Sequence, residues 1–149
     1  DIKLMLVGDG MQKSKLENIV KKNKPLYGEG RVLFTGQIPY EEVQDYYAAA
    51  DVIVTASQSE TQCLGVWEAH AAGKPVVAIR APGISDYVKD NVNGLLANQL
   101  AELKTYIRWL NGDRGKLAEL SRGAREISEK RKREPSSAEK LADVYQRLF

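Results

Sequence analysis

Short apolar runs alternate with amphipathic stretches along the first two thirds of the chain. Five of these runs have the length and composition of β-strands, at residues 2–7, 31–35, 52–56, 76–79 and 95–96. Helical spacing of apolar residues marks three segments between them, at residues 11–22, 39–50 and 64–72. The first strand is expected to be covered on both faces, because nearly all of its residues are apolar. This alternation predicts an α/β fold with a Rossmann-like parallel sheet flanked by helices.

Glycine, proline and capping residues predict where these elements begin and end. Pro39 is expected to be the first residue of the second helix, and Gly73 to end the third helix in a left-handed conformation. Ser85 is expected to cap a short helix over residues 86–89. The last third of the chain predicts three amphipathic helices, at residues 100–110, 117–130 and 136–149.

The length and composition are those of one domain that spans residues 1–149 and can bury its own core. A single cysteine excludes an internal disulfide framework, and no apolar stretch approaches the ~20 residues that span a bilayer. We therefore expect a soluble protein of a reducing compartment, the cytoplasm. Because the chain starts with Asp1, directly ahead of a strand, we also expect it to be a domain excised from a longer protein.

The charge balance argues against nucleic acid as a partner. A formal net charge of +2 is too small for the concentrated basic face that nucleic-acid binding requires. The one dense basic run, at residues 130–133, is interpreted as a solvated helix end. Contact of this run with anionic lipid headgroups is the alternative, and it would place the protein peripherally at the inner face of a membrane.

Two carboxylates flank the loop that follows the third predicted strand. Glu60 lies in this loop, and Glu68 lies about one and a half turns into the next helix. A strand that leads through a short loop into a helix presents unpaired N–H groups at the carboxyl edge of the sheet, where a diphosphate can dock. Glu60 is then placed to reach sugar hydroxyls and Glu68 to accept bonds from a ribose diol. On spacing alone, two ordinary surface carboxylates would be the favoured explanation, and the context of Gly73, Pro75 and residues 93–94 reverses this preference toward a donor site.

Two further residues near this loop have chemistry that must be weighed. Cys63 precedes a predicted helix start, which can lower the pKa of a thiol, but no base accompanies it and we do not expect a catalytic nucleophile. His70 is the one histidine of the chain, and it is expected to be packed rather than to bind a metal. The sequence therefore predicts no metal site.

The stretch from Glu60 to Gly94 resembles the nucleotide-binding C-terminal half of retaining glycosyltransferases of the GT-B fold, the large group often called family four. That family typically reads Glu-x-Phe-Gly-Leu-Val-x-x-Glu-Ala-Met-Ala-Ala-Gly-x-Pro-Val-Val, followed by a Gly-Ile-Pro-Glu-like turn and a Gly-x-Asn-Gly-Leu-Leu-like strand. The matching segments here are residues 60–77, 83–86 and 92–96, with further similarity at residues 7–10, 34–36 and 47–52. The resemblance covers nearly the whole chain.

The resemblance implies a role for each residue of the site. It places Glu60 on the hydroxyls of the donor sugar as the catalytic residue, and Glu68 on the ribose. The other implied donor contacts are the amides of Leu64 and Gly65 with the diphosphate, the flanking Cys63 and Gln62, and the backbone of Ile38 with the base. The implied donor is a nucleoside diphosphate sugar such as a UDP- or GDP-hexose, with no cofactor and no obligatory metal. Its partner is an N-terminal acceptor-binding domain, without which the isolated chain is expected to be inactive.

This sequence departs from the family pattern beside the diphosphate. Cys63 replaces the small glycine, Gln62 replaces a phenylalanine, and Ser85 and Asp86 replace the usual Pro-Glu pair. Thr61 and Gln62 are similar to members that glycosylate lipids, which makes a lipid acceptor the related alternative. Two other functions stay open, a non-catalytic module that binds nucleotide sugars and a nucleotide-sugar epimerase of the same architecture.

Overall fold

The computed structural model describes residues 2–61 and 63–148. The chain divides into two compact units, residues 1–49 and residues 50–149. Each unit contains its own parallel sheet, so the predicted class, α/β with parallel strands and flanking helices, is confirmed. The interpretation of residues 1–149 as one domain stays a prediction.

The first unit is built on two parallel strands. Its elements are β1 (Leu4–Val7), α1 (Lys13–Lys22), α2 (Lys24–Tyr27), β2 (Val32–Gly36), a 3-10 turn (Tyr40–Glu42) and α3 (Val43–Ala49). Leu4 of β1 is paired with Val32 of β2, and the register holds as far as Leu6, after which it shifts by one residue so that Val7 pairs with Gly36. β1 is not covered on both faces as its apolar run predicts, because Leu4 and Val7 each keep nearly half of their surface exposed. An apolar run thus identifies this strand without determining how deeply it is buried.

The start of the predicted second helix is different from the expectation. Pro39 has φ −59° and ψ 146°, which is an extended conformation, so it precedes the helical residues instead of being the first of them. The proline ring restricts φ but leaves ψ free, and the Pro39 carbonyl accepts a bond from the Glu42 N–H at 3.1 Å. The 3-10 turn that results leads directly into α3.

The second unit contains a three-stranded parallel sheet in the order β3-β4-β5. Its elements are β3 (Ile53–Thr55), α4 (Leu64–Ala71), β4 (Val76–Ile79), β5 (Gly94–Ala97), α5 (Leu100–Gly112), α6 (Arg114–Lys132) and α7 (Ser137–Leu148). Every residue of β4 and β5 is buried. Gly73 has φ 69° and follows Ala72, the C-cap of α4, so the predicted left-handed helix end is confirmed. No helix within the described residues combines the length and apolar composition needed to cross a membrane.

The core of the second unit lies between the central strands and the helices that follow them. Its buried members come from β4, β5, α5 and α6, and they are Val77, Ile79, Leu95, Ala97, Leu103, Leu110 and Leu120. The break between α5 and α6 is shorter than predicted, because Asp113 alone separates them and its carboxylate caps α6 by accepting the Lys116 N–H at 2.8 Å. The core thus holds β4, β5 and both helices as one packed body.

The predicted short helix over residues 86–89 does not form, and residues 82–87 are turns. The buried side chain of Asn93 accounts for this result. Its oxygen accepts the Lys89 N–H at 2.6 Å, and its amide donates to the Tyr87 carbonyl at 3.0 Å. Backbone groups that would continue a helix are therefore bonded to a side chain instead. Ser85 is not a helix cap, since its hydroxyl donates to the Ala81 carbonyl at 3.1 Å.

Candidate functional site

The loop between β3 and α4 leaves the carboxyl end of a parallel strand, as the sequence predicts. The Ser57 N–H donates to the Thr55 hydroxyl at 3.3 Å, and the Ser57 hydroxyl donates to the Ser59 carbonyl at 3.3 Å. These bonds turn the chain out of β3 toward Glu60. Gln62, which the sequence places in the same site, lies outside the described residues.

Cys63 has a left-handed backbone conformation directly before α4, with φ 38° and ψ 56°. This conformation costs an L-residue about 1–2 kcal/mol, which explains why a glycine would suit the position. A left-handed residue followed by helical residues turns successive N–H groups toward one side, an arrangement that binds anions. The helix dipole adds partial positive charge at the same point. The start of α4 is therefore shaped to receive a negatively charged group.

The thiol of Cys63 is not activated by its position at the helix start. Burial raises the pKa of the Cys63 thiol, the negative charge of Glu60 raises it further, and the Val66 N–H opposes these two effects. The lowering of a thiol pKa that a helix start can cause is therefore not found at Cys63. Partial burial beside a carboxylate outweighs the helix start, so Cys63 stays a neutral thiol at neutral pH.

Glu60 lies between the start of α4 and the loop that follows β4. Its charge acts on Cys63 on one side, as the thiol pKa shows. On the other side, a Cβ atom built on Gly83 would overlap the carbonyl oxygen of Glu60. The backbones of these two loops are therefore in direct contact at the carboxyl edges of neighbouring strands. Glu60 itself is half-buried there.

Glu68 lies on α4 and is half-buried. It is the fifth residue of the helix, four positions beyond Leu64, which puts it ~6 Å along the axis, or about one turn. Leu64 is exposed and Gly65 is half-buried, so the first two residues of α4 are accessible to solvent, whereas Val66 is buried. The structure thus brings Glu60, Cys63, the first turn of α4 and Glu68 together on one loop and helix.

Ile38 belongs to the first unit, where it is half-buried after the end of β2. The other described site residues belong to the second unit. The predicted backbone contact of Ile38 with a base stays a prediction.

His70 is completely buried on α4, which packs against α6 and β4. Within the described part of the chain, neither of its ring nitrogens has a hydrogen-bond partner. Burial lowers the pKa of His70 to about 4, and the nearby backbone of Asn93 opposes that shift. His70 is therefore a neutral, packed side chain at neutral pH. In residues 2–61 and 63–148, no group of three acidic, histidine or cysteine side chains is arranged to hold a metal ion.

Comparison with known proteins identifies the family of the chain. The family model described as glycosyl transferases group 1 matches residues 1–127. The chain is a member of the glycosyl transferases group 1 family. This result confirms the resemblance found in the sequence and, with the structural neighbours, the Rossmann-like fold of the kind found in the C-terminal half of GT-B enzymes.

Relatives of this group 1 chain include two curated transferases. The sulfoquinovosyl transferase SQD2 of Arabidopsis thaliana is 35% identical over 87% of this chain and 25% of its own length. A GDP-mannose-dependent alpha-mannosyltransferase of Corynebacterium glutamicum is 35% identical over 64% of this chain and 21% of its own length. The chain therefore spans about a quarter of the curated relatives that it matches. Among solved structures, Anabaena HepE in complex with UDP has a TM-score of 0.75 and 29% identity, covering 87% of this chain and 36% of HepE.

The group 1 chain also contains a ring cluster that sequence reasoning missed. The Arg131 guanidinium lies 3.5 Å from the ring centroid of Trp67, which meets Tyr87 edge-on at 4.8 Å. In the same basic run, Lys132 pairs with Glu129 at 2.7 Å. These contacts favour the interpretation of residues 130–133 as a helix end over one that binds lipid headgroups. The distance in sequence between Arg131 and Trp67 left no local signal of the stack.

Proposed function

We propose that this chain is the donor-binding part of a retaining glycosyltransferase that transfers a hexosyl group from a UDP- or GDP-hexose. The observation that supports this most is the left-handed Cys63 directly before α4, with Glu60 beside it. This arrangement supplies an anion site and a carboxylate within one short segment. Membership of the group 1 family and a structural neighbour that contains UDP support the same function.

The backbone at the start of α4 suits the diphosphate of such a donor. The first N–H groups of a helix, here those of Leu64 and Gly65, have no carbonyl one turn earlier to bond. The helix dipole adds about half a positive charge at this point. Negative charge builds up on the diphosphate as the sugar leaves, so these amides stabilise the transition state more than the ground state. The proposed transfer therefore needs no obligatory metal ion.

The two carboxylates have separate tasks in this proposal. Glu60, in the loop ahead of the diphosphate, accepts hydrogen bonds from hydroxyls of the hexose and orients the sugar. Glu68, one turn into α4, accepts hydrogen bonds from the ribose diol. Bonds of hydroxyl groups to a charged acceptor contribute about 1.5–3 kcal/mol each. Cys63 takes no covalent part, because its thiol is neutral at neutral pH.

The donor is one of two substrates, and catalysis requires both to be held together. We propose that an N-terminal domain of the same protein binds the acceptor, with a lipid acceptor as one possibility. The 149-residue chain alone is then expected to bind donor without turnover. If the longer protein also lacks transfer with every donor that the chain binds, the chain is a non-catalytic module instead.

Calorimetric titration of the 149-residue chain tests the donor site directly. We expect saturable binding of UDP or GDP, and of the matching hexose conjugate, that persists in excess EDTA. Absence of binding to all of these ligands at millimolar concentration would contradict the proposed function. In the longer protein, product with the anomeric configuration of the donor supports retention, and the opposite anomer excludes it.

A further inference from the structure

The contact between Gly83 and Glu60 gives the loop after β4 a defined relation to the proposed sugar carboxylate. Gly83 has φ 79°, a left-handed conformation, and a Cβ built on it would overlap the Glu60 carbonyl oxygen. The same Cβ would lie 2.7 Å from the Glu60 carbonyl carbon and 3.2 Å from its Cβ. These atoms belong to the backbone and the root of the side chain, so rotation of a flexible side chain cannot relieve the overlap.

The loop around Gly83 is anchored in the core on its other side. Ile84, the next residue, is completely buried, and its carbonyl accepts the N–H of Val88, also buried, at 2.9 Å. The Ser85 N–H and hydroxyl both donate to the Ala81 carbonyl at 3.1 Å. By contrast, residues 58, 59 and 61 around Glu60 are exposed. The better-anchored loop therefore determines where the more exposed loop lies.

We propose that Gly83 is a positioning residue for Glu60. Its bare backbone lets the Glu60 loop settle against the loop after β4, and this contact sets the position of the carboxylate that meets the hexose. Gly83 then influences recognition of the sugar, through Glu60, without itself being needed for the nucleotide. This inference rests on the proposed function, since it concerns the sugar half of the same donor site.

A double-mutant cycle on the 149-residue chain tests this role. Affinities for free UDP or GDP and for the matching hexose conjugate are measured for wild type, Gly83→Ala, Glu60→Ala and the double variant. We expect Gly83→Ala to lower the affinity for the hexose conjugate by about tenfold and to change the affinity for the free nucleotide by less than about twofold. In the Glu60→Ala background, Gly83→Ala should have no further effect on the hexose conjugate, because the carboxylate through which it acts is gone.

Two further variants separate positioning from general damage to the fold. Gly30→Ala is the matched control, since Gly30 also has a left-handed φ of 69° but a Cβ there would meet no atom within 4 Å. It should leave both affinities unchanged. Ile84→Val loosens the anchor of the Gly83 loop without entering the site, and serves if Gly83→Ala does not fold. Ile84→Val should selectively lower the affinity for the hexose conjugate. The decrease should be smaller than the one expected for Gly83→Ala.

The outcomes distinguish this inference from the function on which it rests. If wild type binds neither ligand, the donor site itself is wrong. If wild type binds both, but the effects of Gly83→Ala and Glu60→Ala simply add, only the positioning role is overturned. Equal weakening of both ligands by Gly83→Ala, or by Ile84→Val where Gly83→Ala fails to fold, overturns it as well.

Discussion

The loops that follow β3 and β4 are in contact, yet they are held in different ways. The loop after β3 is largely exposed, includes a left-handed cysteine, and is turned by bonds between its own polar groups. The loop after β4 contains Ile84 and Val88, which are almost completely buried, and the side chain of Asn93 bonds to its backbone. The candidate site therefore combines a less constrained binding loop after β3 with a loop after β4 that is anchored in the core.

Truncation of a buried side chain in the loop after β4 should have the largest effect on stability. We expect Ile84→Ala to lower the free energy of unfolding by about 2–5 kcal/mol, because it leaves a cavity at a completely buried position. Val54→Ala on β3 is the control, since Val54 is 42% exposed and should lose about 1 kcal/mol or less. Denaturant unfolding of both variants measures the difference. Equal losses would mean that Ile84 anchors the loop after β4 no better than the exposed Val54 side chain anchors β3.

Protonation of His70, which is buried on α4, should lower the stability of the folded chain. The pKa of His70 is about 4 in the folded chain, against 6.5 as the ordinary value. Between these values the unfolded state binds more protons, so stability is complete above pH 6.5 and falls as the pH drops toward 4. The free energy of unfolding falls by an amount on the order of 3 kcal/mol in this range, and His70 causes no further loss below pH 4.

Urea unfolding between pH 7 and pH 4 measures this dependence, and His70→Met supplies the control. The variant keeps a large buried side chain but removes the titrating ring. Its stability relative to wild type should therefore improve as the pH falls from 6.5 to 4. Parallel pH profiles for the two proteins would contradict the burial argument for His70.

The left-handed cysteine in the binding loop should give a smaller effect of opposite sign. We expect Cys63→Gly to raise the free energy of unfolding by about 1 kcal/mol, because glycine adopts φ 38° without the strain of a Cβ. Asn91, with φ 61°, is the matched control, and Asn91→Gly should gain less because asparagine tolerates this region better. Chemical unfolding compares the pair. A loss of stability in Cys63→Gly would show that packing of the thiol outweighs the backbone strain.

The regular elements around these two loops were easier to predict from the sequence than the loops themselves. The bounds of β4 match the prediction at residues 76–79, and α4 matches within one residue, because an apolar run and Gly73 encode them locally. The helix predicted at residues 86–89 failed because the Asn93 side chain competes for its backbone bonds from further along the chain. A capping residue and the local residue pattern thus failed to predict the structure where a nearby side chain, four to six residues further on, takes the backbone bonds.

The residues of the candidate site were predicted from the sequence, but its backbone conformation and its contacts between loops were not. The spacing and the family resemblance select Glu60 and Glu68. The left-handed backbone of Cys63 has no signal in the residue itself, since cysteine rarely adopts it, and only the family glycine at that position hints at it. The contact of Glu60 with Gly83 joins residues from two separate loops. Such a contact depends on the pairing of β3 with β4, which residue spacing alone does not give.

The proposed donor site is tested by the affinities for the free nucleoside diphosphate and for its hexose conjugate, measured by calorimetry on wild type, Glu68→Ala and Glu60→Ala. Glu68→Ala should weaken both ligands by about 10-fold to 150-fold, because the ribose is common to both. Glu60→Ala should leave the affinity for the free nucleoside diphosphate unchanged and lower the affinity for the hexose conjugate. Glu126→Ala, on the exposed face of α6, should change neither. Equal and negligible effects of Glu60→Ala and Glu68→Ala in folded protein would contradict the assignment of the donor site.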